Sequence, residues 1–228
     1  MISNIQLAVI LALLLGTVDY LSEGHFTRRK GLFKERLVSF AAGLSVSYLF
    51  LHLFPQVYTV ADDVPRLIFL SMLVGFVAYH AIEKLIYKYA RRDDVINDIE
   101  LEHSVTLFCY HFVIGIVFLT LMIQSLWGGV LFFVPVSLQV IINALPHAHR
   151  FRRRGVKAFF SAAPLLGVLF ALTLPLPPAI YALLLGVVAG ILLFVEAREV
   201  VPRRRAESIV WFLIGVIGYG FLIGVSWL

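Results

Sequence analysis

Long apolar runs separated by short polar clusters organise the chain, and within the runs the hydrophobic positions are continuous instead of alternating. A run of about 20 mostly apolar residues is what one helix needs to cross the hydrocarbon core of a bilayer. A membrane β-barrel would read instead as short segments of period two. Eight segments have the helical character, over residues 3–22, 37–60, 64–88, 104–125, 127–149, 156–176, 178–197 and 207–227. The pattern therefore predicts an all-α, polytopic membrane protein of eight transmembrane helices, with residues 1–228 forming a single transmembrane domain. Its connections are short. The longest polar stretch, Ala90 to His103, mixes both charge signs and is expected at the membrane surface. The first run has no Lys or Arg before Arg28 and no small-residue cleavage site after it, so it reads as a span and not as a cleaved signal peptide.

Composition agrees with this class. Hydrophobic side chains make up 61% of the chain and charged ones 14%, with a mean hydropathy of +0.93. A soluble domain carries nearer a quarter charged residues. Cys109 is the single cysteine, so no disulfide forms within one chain, and a lone buried Cys behaves as a small hydrophobe.

The charges fix an expected orientation. Of the nineteen Lys and Arg residues, all except Arg66 fall in or beside the connections 1–2, 3–4, 5–6 and 7–8. By the positive-inside rule those connections are cytoplasmic, which puts both termini on the non-cytoplasmic side, with the plasma (inner) membrane as the expected location. The net charge of +5 then reflects short basic loops such as "RFRRRGVK" set against anionic headgroups, and no nucleic acid is expected as a partner. The expected partners are the bilayer and a transported ion or small solute.

Polar side chains at membrane depth are costly, so each is a candidate for function. Tyr48, His52 and Gln56 recur every fourth residue on the second span, and Gln139, Asn143 and His147 do so on the fifth. Each set shares one helix face. Tyr110 and His111 are adjacent on the fourth span. The bland reading of such stripes is hydrogen bonding between helices, at about 0.6–2 kcal/mol per contact. Three histidines on three helices favour a ligand set, because imidazole binds zinc and related metals. Pro55 and Pro146 each remove a backbone donor near one of these histidines, freeing the Leu51 and Ile142 carbonyls, and broken membrane helices tend to line cavities. Gly186 with Gly190, and Gly220 with Gly224, form G-x-x-x-G pairs on the last two spans. These allow close helix contact within one subunit or between copies, which leaves a homo-oligomer open.

Three of these segments resemble the ZIP family of divalent-metal transporters. "SYLFLHLFPQ" is similar to the family's second helix, with its His-x-x-Pro-acid run, and "CYHFVIGIVF" has the frame of the fourth, His-Asn-Phe-x-Asp-Gly. "INALPHAHR" resembles the fifth, His-Glu-x-Pro-His-Glu. Weaker echoes are "GFVAYHAIEKL" and "AGILLFVEAREVVP" on the third and seventh spans. The resemblance implies a ZIP-like bundle of eight spans with both termini outside, in which two outer three-helix units rock around a central pair.

The departures fall on the carboxylates. In the fifth-helix pattern Pro146 and His147 match, but Asn143 takes the first His position, and Ala144 and Ala148 stand where the family has Glu. In the fourth, Phe112 and Gly115 match, while Tyr110, His111 and Ile114 occupy the His, Asn and Asp positions. In the second, His52 and Pro55 match and Gln56 replaces the acid. A divalent ion leaving water needs charge compensation as well as lone pairs, and neutral imidazoles supply only the latter. The metal ligands implied are His52, His111 and His147, with Tyr48, Gln56, Tyr110, Gln139 and Asn143 lining a path between spans 2, 4 and 5. Glu196 stands at the end of the seventh span, and Glu83, within one turn of His80 and beside Lys84, reads as part of an interfacial ion-pair cluster.

The function expected is transport of a zinc-like divalent transition metal, or of another small solute, with no resident prosthetic group. The alternative keeps the fold without transport, as a partner or scaffold protein. An intramembrane zinc enzyme is disfavoured, because Tyr110 is the only acid or base near the histidines.

Overall fold

In a computed structural model, residues 2–25, 32–89, 96–144, 154–174, 176–200 and 208–227 are described, and among them the chain is all-helical with no strand. The helices are α1 (Ile2–His25), α2 (Leu32–Tyr48), α3 (Phe54–Thr59), α4 (Leu67–Tyr89), α5 (Ile96–Gln124), α6 (Leu126–Ala144), α7 (Arg154–Ser161), α8 (Ala163–Thr173), α9 (Pro178–Val200) and α10 (Ile209–Val225). Among the described residues, three stretches are long and apolar enough to cross a membrane: Asn4–Leu21, Glu35–Thr59 and Pro178–Ala197. Five shorter apolar helical segments accompany them.

Local chemistry explains where the observed elements depart from the expected segments. The second segment is helical throughout but changes register: a π-turn, Leu49–Leu53, joins α2 to α3. The Phe54 N–H donates to the Leu49 carbonyl, five residues back, one residue before Pro55. Pro55 has no N–H to offer, so the wide turn sits where an ordinary α-helical bond would be lost anyway. The sixth segment is split at Ala162, with Pro164 in the first turn of α8, where a missing donor is tolerated. Residues 96–103 of the expected surface stretch belong to α5. A single residue, Ser125, separates α5 from α6. Its hydroxyl accepts from the Gly128 N–H at 3.2 Å, as a helix cap does. Pro146 and its expected kink lie outside the described residues.

The helices pack as two units. One holds α1, α5, α6, α7 and α8; the other holds α2 with α3, α4, α9 and α10. This differs from two three-helix units around a central pair. The reason is where the glycines fall. A Cβ at Gly43 on α2 would strike the Phe212 carbonyl of α10, and one at Gly215 on α10 would strike the Phe40 carbonyl of α2. The same reciprocity joins Gly75 on α4 to Gly186 and Gly190 on α9, and Gly115 on α5 to Gly167 on α8. Backbones meet this closely only where both helices lack a side chain. Of the two G-x-x-x-G pairs, Gly186 and Gly190 are used in this way, whereas Gly224 meets nothing within 4 Å.

The surface around both units is apolar. Leu73 and Val77 on α4, and Ile217 and Phe221 on α10, are all more than half exposed. Contiguous apolar exposure on this scale is unusual for a soluble monomer and suits contact with lipid. Replacing Gly190 by Leu forces α4 and α9 apart and is expected to cost about 1–3 kcal/mol or more, as overpacking does. Gly224→Leu should stay within about 0.5 kcal/mol, as a substitution away from packed features does. Unfolding midpoints of the two variants in detergent check this, and equal shifts would remove the glycine contacts as the organising feature.

Candidate functional site

Polar side chains mark the seam between the two units at two levels. The first level lies beside the α5–α6 turn. Gln56 on α3 donates from its amide to the Gln124 side chain at the end of α5, at 3.4 Å. One turn deeper, His52 stacks on Tyr48 with ring centroids 5.4 Å apart, and Tyr48 meets Phe132 of α6 at 5.9 Å. A Cβ on Gly128 would sit 3.6 Å from His52 Nε2, so the glycine near the start of α6 leaves room around that nitrogen. Tyr219 of α10 crosses the seam to donate to the Leu131 carbonyl at 2.6 Å. Tyr181 of α9 and Tyr219 both lie within electrostatic reach of Tyr48. The Tyr48 and Tyr181 hydroxyls and His52 Nε2 are buried and have no hydrogen-bond partner among the described residues.

The second level lies towards the other end of the same helices. Gln139 of α6 donates to Glu196 of α9 at 2.5 Å, with both side chains buried. Tyr110 of α5 is within electrostatic reach of Glu196 and packs on Tyr79 of α4 with centroids 6.0 Å apart. The Tyr110 hydroxyl is buried without a hydrogen-bond partner among the described residues. His111, buried at 5% exposure, lies beside Tyr110 with ring centroids 5.5 Å apart.

His52 and His111 therefore belong to different levels. His111 precedes Gln124 by thirteen residues of unbroken helix, about 20 Å along the axis, whereas His52 is one turn from the Gln56 that touches Gln124. A metal–imidazole bond is about 2 Å long, so one ion does not bridge these levels. Among the described residues no group of three or more His, Cys, Asp or Glu side chains is arranged to hold a metal ion. His147 lies outside the described residues. Asn143 falls within α6, but its side chain is not described. Tyr48, Gln56, Tyr110 and Gln139 all line the seam.

A comparison with protein-family models gives no match, and neither does one with curated proteins. The chemistry of the chain thus rests on its own residues.

Three seam residues escape the sequence reading: Glu196, Tyr181 and Tyr219. Glu196 is buried, at 4% exposed. A signal for it exists, since Tyr181, Leu185, Val188, Leu192 and Glu196 recur at helical spacing and all are buried, making one face of α9. Gly215, Tyr219 and Ile223 trace the buried stripe of α10 in the same way. A small pocket lies inside the first unit, lined only by apolar residues such as Ile114, Phe118 and Val136.

The contrast between two tyrosines tests this geometry. Tyr219→Phe removes the bond to the Leu131 carbonyl and should cost about 0.6–2 kcal/mol, the range for a contact between membrane helices. Tyr181→Phe removes no hydrogen bond and should leave stability unchanged or raised. Thermal or denaturant unfolding of both variants is the measurement, and a larger loss at Tyr181 contradicts the arrangement.

Proposed function

We propose that the chain is a ZIP-like integral membrane transporter, and that its substrate, a divalent transition metal or another small polar solute, moves along the seam between the two helix units. The observation that carries this reading is the location of the buried polar groups. Tyr48, His52, Tyr110, Gln139 and Glu196 all sit on the surface where one unit meets the other. Among them the Tyr48 and Tyr110 hydroxyls and His52 Nε2 have no hydrogen-bond partner among the described residues. Buried polar atoms in native proteins are nearly always hydrogen-bonded, so these three call for an explanation, such as an ion or water. A polar seam supplies lone pairs to a passing solute.

The eight-span topology belongs to the same proposal, with the basic connections cytoplasmic and both termini outside. Its support is the sequence asymmetry of Lys and Arg together with the three long and five shorter apolar helical segments. His52 would be the ligand at the first level, with Tyr48 and Tyr181 beside it. Access would alternate through displacement of one unit against the other, along the side-chain contacts of Tyr48, Gln139 and Tyr219 that join them. A transport-inactive ZIP-like scaffold is the second reading. It is favoured by the separation of His52 from His111 and by the missing motif carboxylates.

Uptake into proteoliposomes separates the two. Zinc, cobalt, manganese or iron(II) is expected to enter vesicles carrying the protein, and His52→Ala should lower the rate about tenfold or more, on the scale seen when a metal site loses a supporting group. Uptake of none of these above empty vesicles would leave the scaffold reading.

A further inference from the structure

An unpartnered nitrogen and a missing side chain meet across the seam, beside the α5–α6 turn. His52 Nε2 is buried and has no hydrogen-bond partner among the described residues. The three heavy atoms nearest to a Cβ built on Gly128 are Ser125 Cβ at 3.4 Å, His52 Nε2 at 3.6 Å and Ser125 Oγ at 3.7 Å. These are ordinary contact distances, so the start of α6 leaves a methyl-sized gap, and the nitrogen corner of the His52 ring faces it. Ser125 Oγ accepts the Gly128 N–H at 3.2 Å and keeps a lone pair for a further bond.

The place of the turn decides what can use this gap. One apolar segment ends at Gln124 and the next begins at Leu126, so Ser125 stands at the rim of the apolar layer. His52 is seven residues short of Thr59, where its own apolar stretch ends, which is about 10 Å of helix. An imidazole nitrogen selects a transition metal over magnesium or calcium, which prefer oxygen. A divalent ion held by one neutral imidazole must keep part of its water, because nothing else offsets its desolvation. The rim of the layer permits that. One turn outward of His52, the Gln56 and Gln124 amides meet at 3.4 Å, beyond the 2.7–3.2 Å usual for N–H on oxygen, so little holds them together.

We propose that Gly128 is a specificity-determining residue, whose missing side chain lets a partly hydrated divalent transition-metal ion reach His52 Nε2. The ion enters when the Gln56–Gln124 contact parts, and one of its waters donates to Ser125 Oγ. A metal–imidazole bond is about 2 Å long, so a methyl group 3.6 Å from the nitrogen would fill the ion's place. That this ion is cargo rests on the transporter reading; its binding at the gap does not.

Titration of the full chain in detergent with cobalt(II), followed by visible absorption, tests binding without transport. The wild type should bind cobalt, and His52→Ala about tenfold or more weakly. Gly128→Ala should melt at or above the wild-type temperature, since alanine favours a helix over glycine, yet bind cobalt about tenfold or more weakly. Gly128→Cys should gain a thiolate-to-cobalt charge-transfer band that disappears when His52→Ala is added, which separates it from any signal of Cys109. No cobalt binding by the wild type, or equal binding by Gly128→Ala, would overturn the proposal. So would a Gly128→Ala chain that does not fold, because the gap would then not admit a methyl group. Vesicle uptake that His52→Ala lowers and Gly128→Ala leaves intact would remove this site and keep the transporter reading. Cobalt binding that depends on both residues, in a protein that takes up no metal, would keep the site and remove the transporter reading.

Discussion

Backbone-to-backbone contact at paired glycines is the constraint from which the rest of the structure follows. In a bilayer, helices gain little from hiding apolar side chains, since lipid is as apolar as they are; association depends on close packing and on hydrogen bonds. Gly43 with Gly215, Gly75 with Gly186 and Gly190, and Gly115 with Gly167 provide the close packing in three helix pairs. Each pair lies within one unit, joining α2 to α10, α4 to α9 and α5 to α8. Between the units the contacts are of a different kind, through the side chains of Tyr48, Gln56, Tyr79, Gln139 and Tyr219. Side chains rotate and exchange partners, whereas interlocked backbones do not.

That division also decides where a polar solute could be accommodated. The pocket inside the first unit is lined by apolar groups alone and offers nothing to a desolvated ion. The seam offers imidazole, phenol, amide and carboxyl groups, but at two levels separated along α5 instead of in one cluster. Such spacing suits successive weak contacts better than a single tight cage. The proposed path thus follows from the packing as much as from the motifs.

How much of this was legible in the sequence differs between fold and site. Hydrophobic runs mark the helical segments well, because apolar continuity is imposed locally by the lipid. Changes inside a run are less visible: the π-turn before Pro55 and the break at Ala162 depend on how neighbours take up a lost backbone bond. The stripe of Tyr48, His52 and Gln56 was readable because all three residues share one helix. Glu196 was not, because its role comes from Gln139 on another helix, and spacing along one chain segment says nothing about which face meets which. The glycine pairs illustrate the same limit. Gly186 and Gly190 look no different in sequence from Gly220 and Gly224, yet only the first pair meets a helix backbone closely.

The altered motifs and the buried glutamate are best considered together. Acids at the motif positions of α5 and α6 would place several negative charges on one unit, and each would need a cation to be stable at membrane depth. Here the α5 and α6 positions hold Ile114 and Ala144, while one carboxyl, Glu196, sits across the seam on α9. A single carboxyl can be neutralised by one proton, whereas a cluster of them needs metal or several protons.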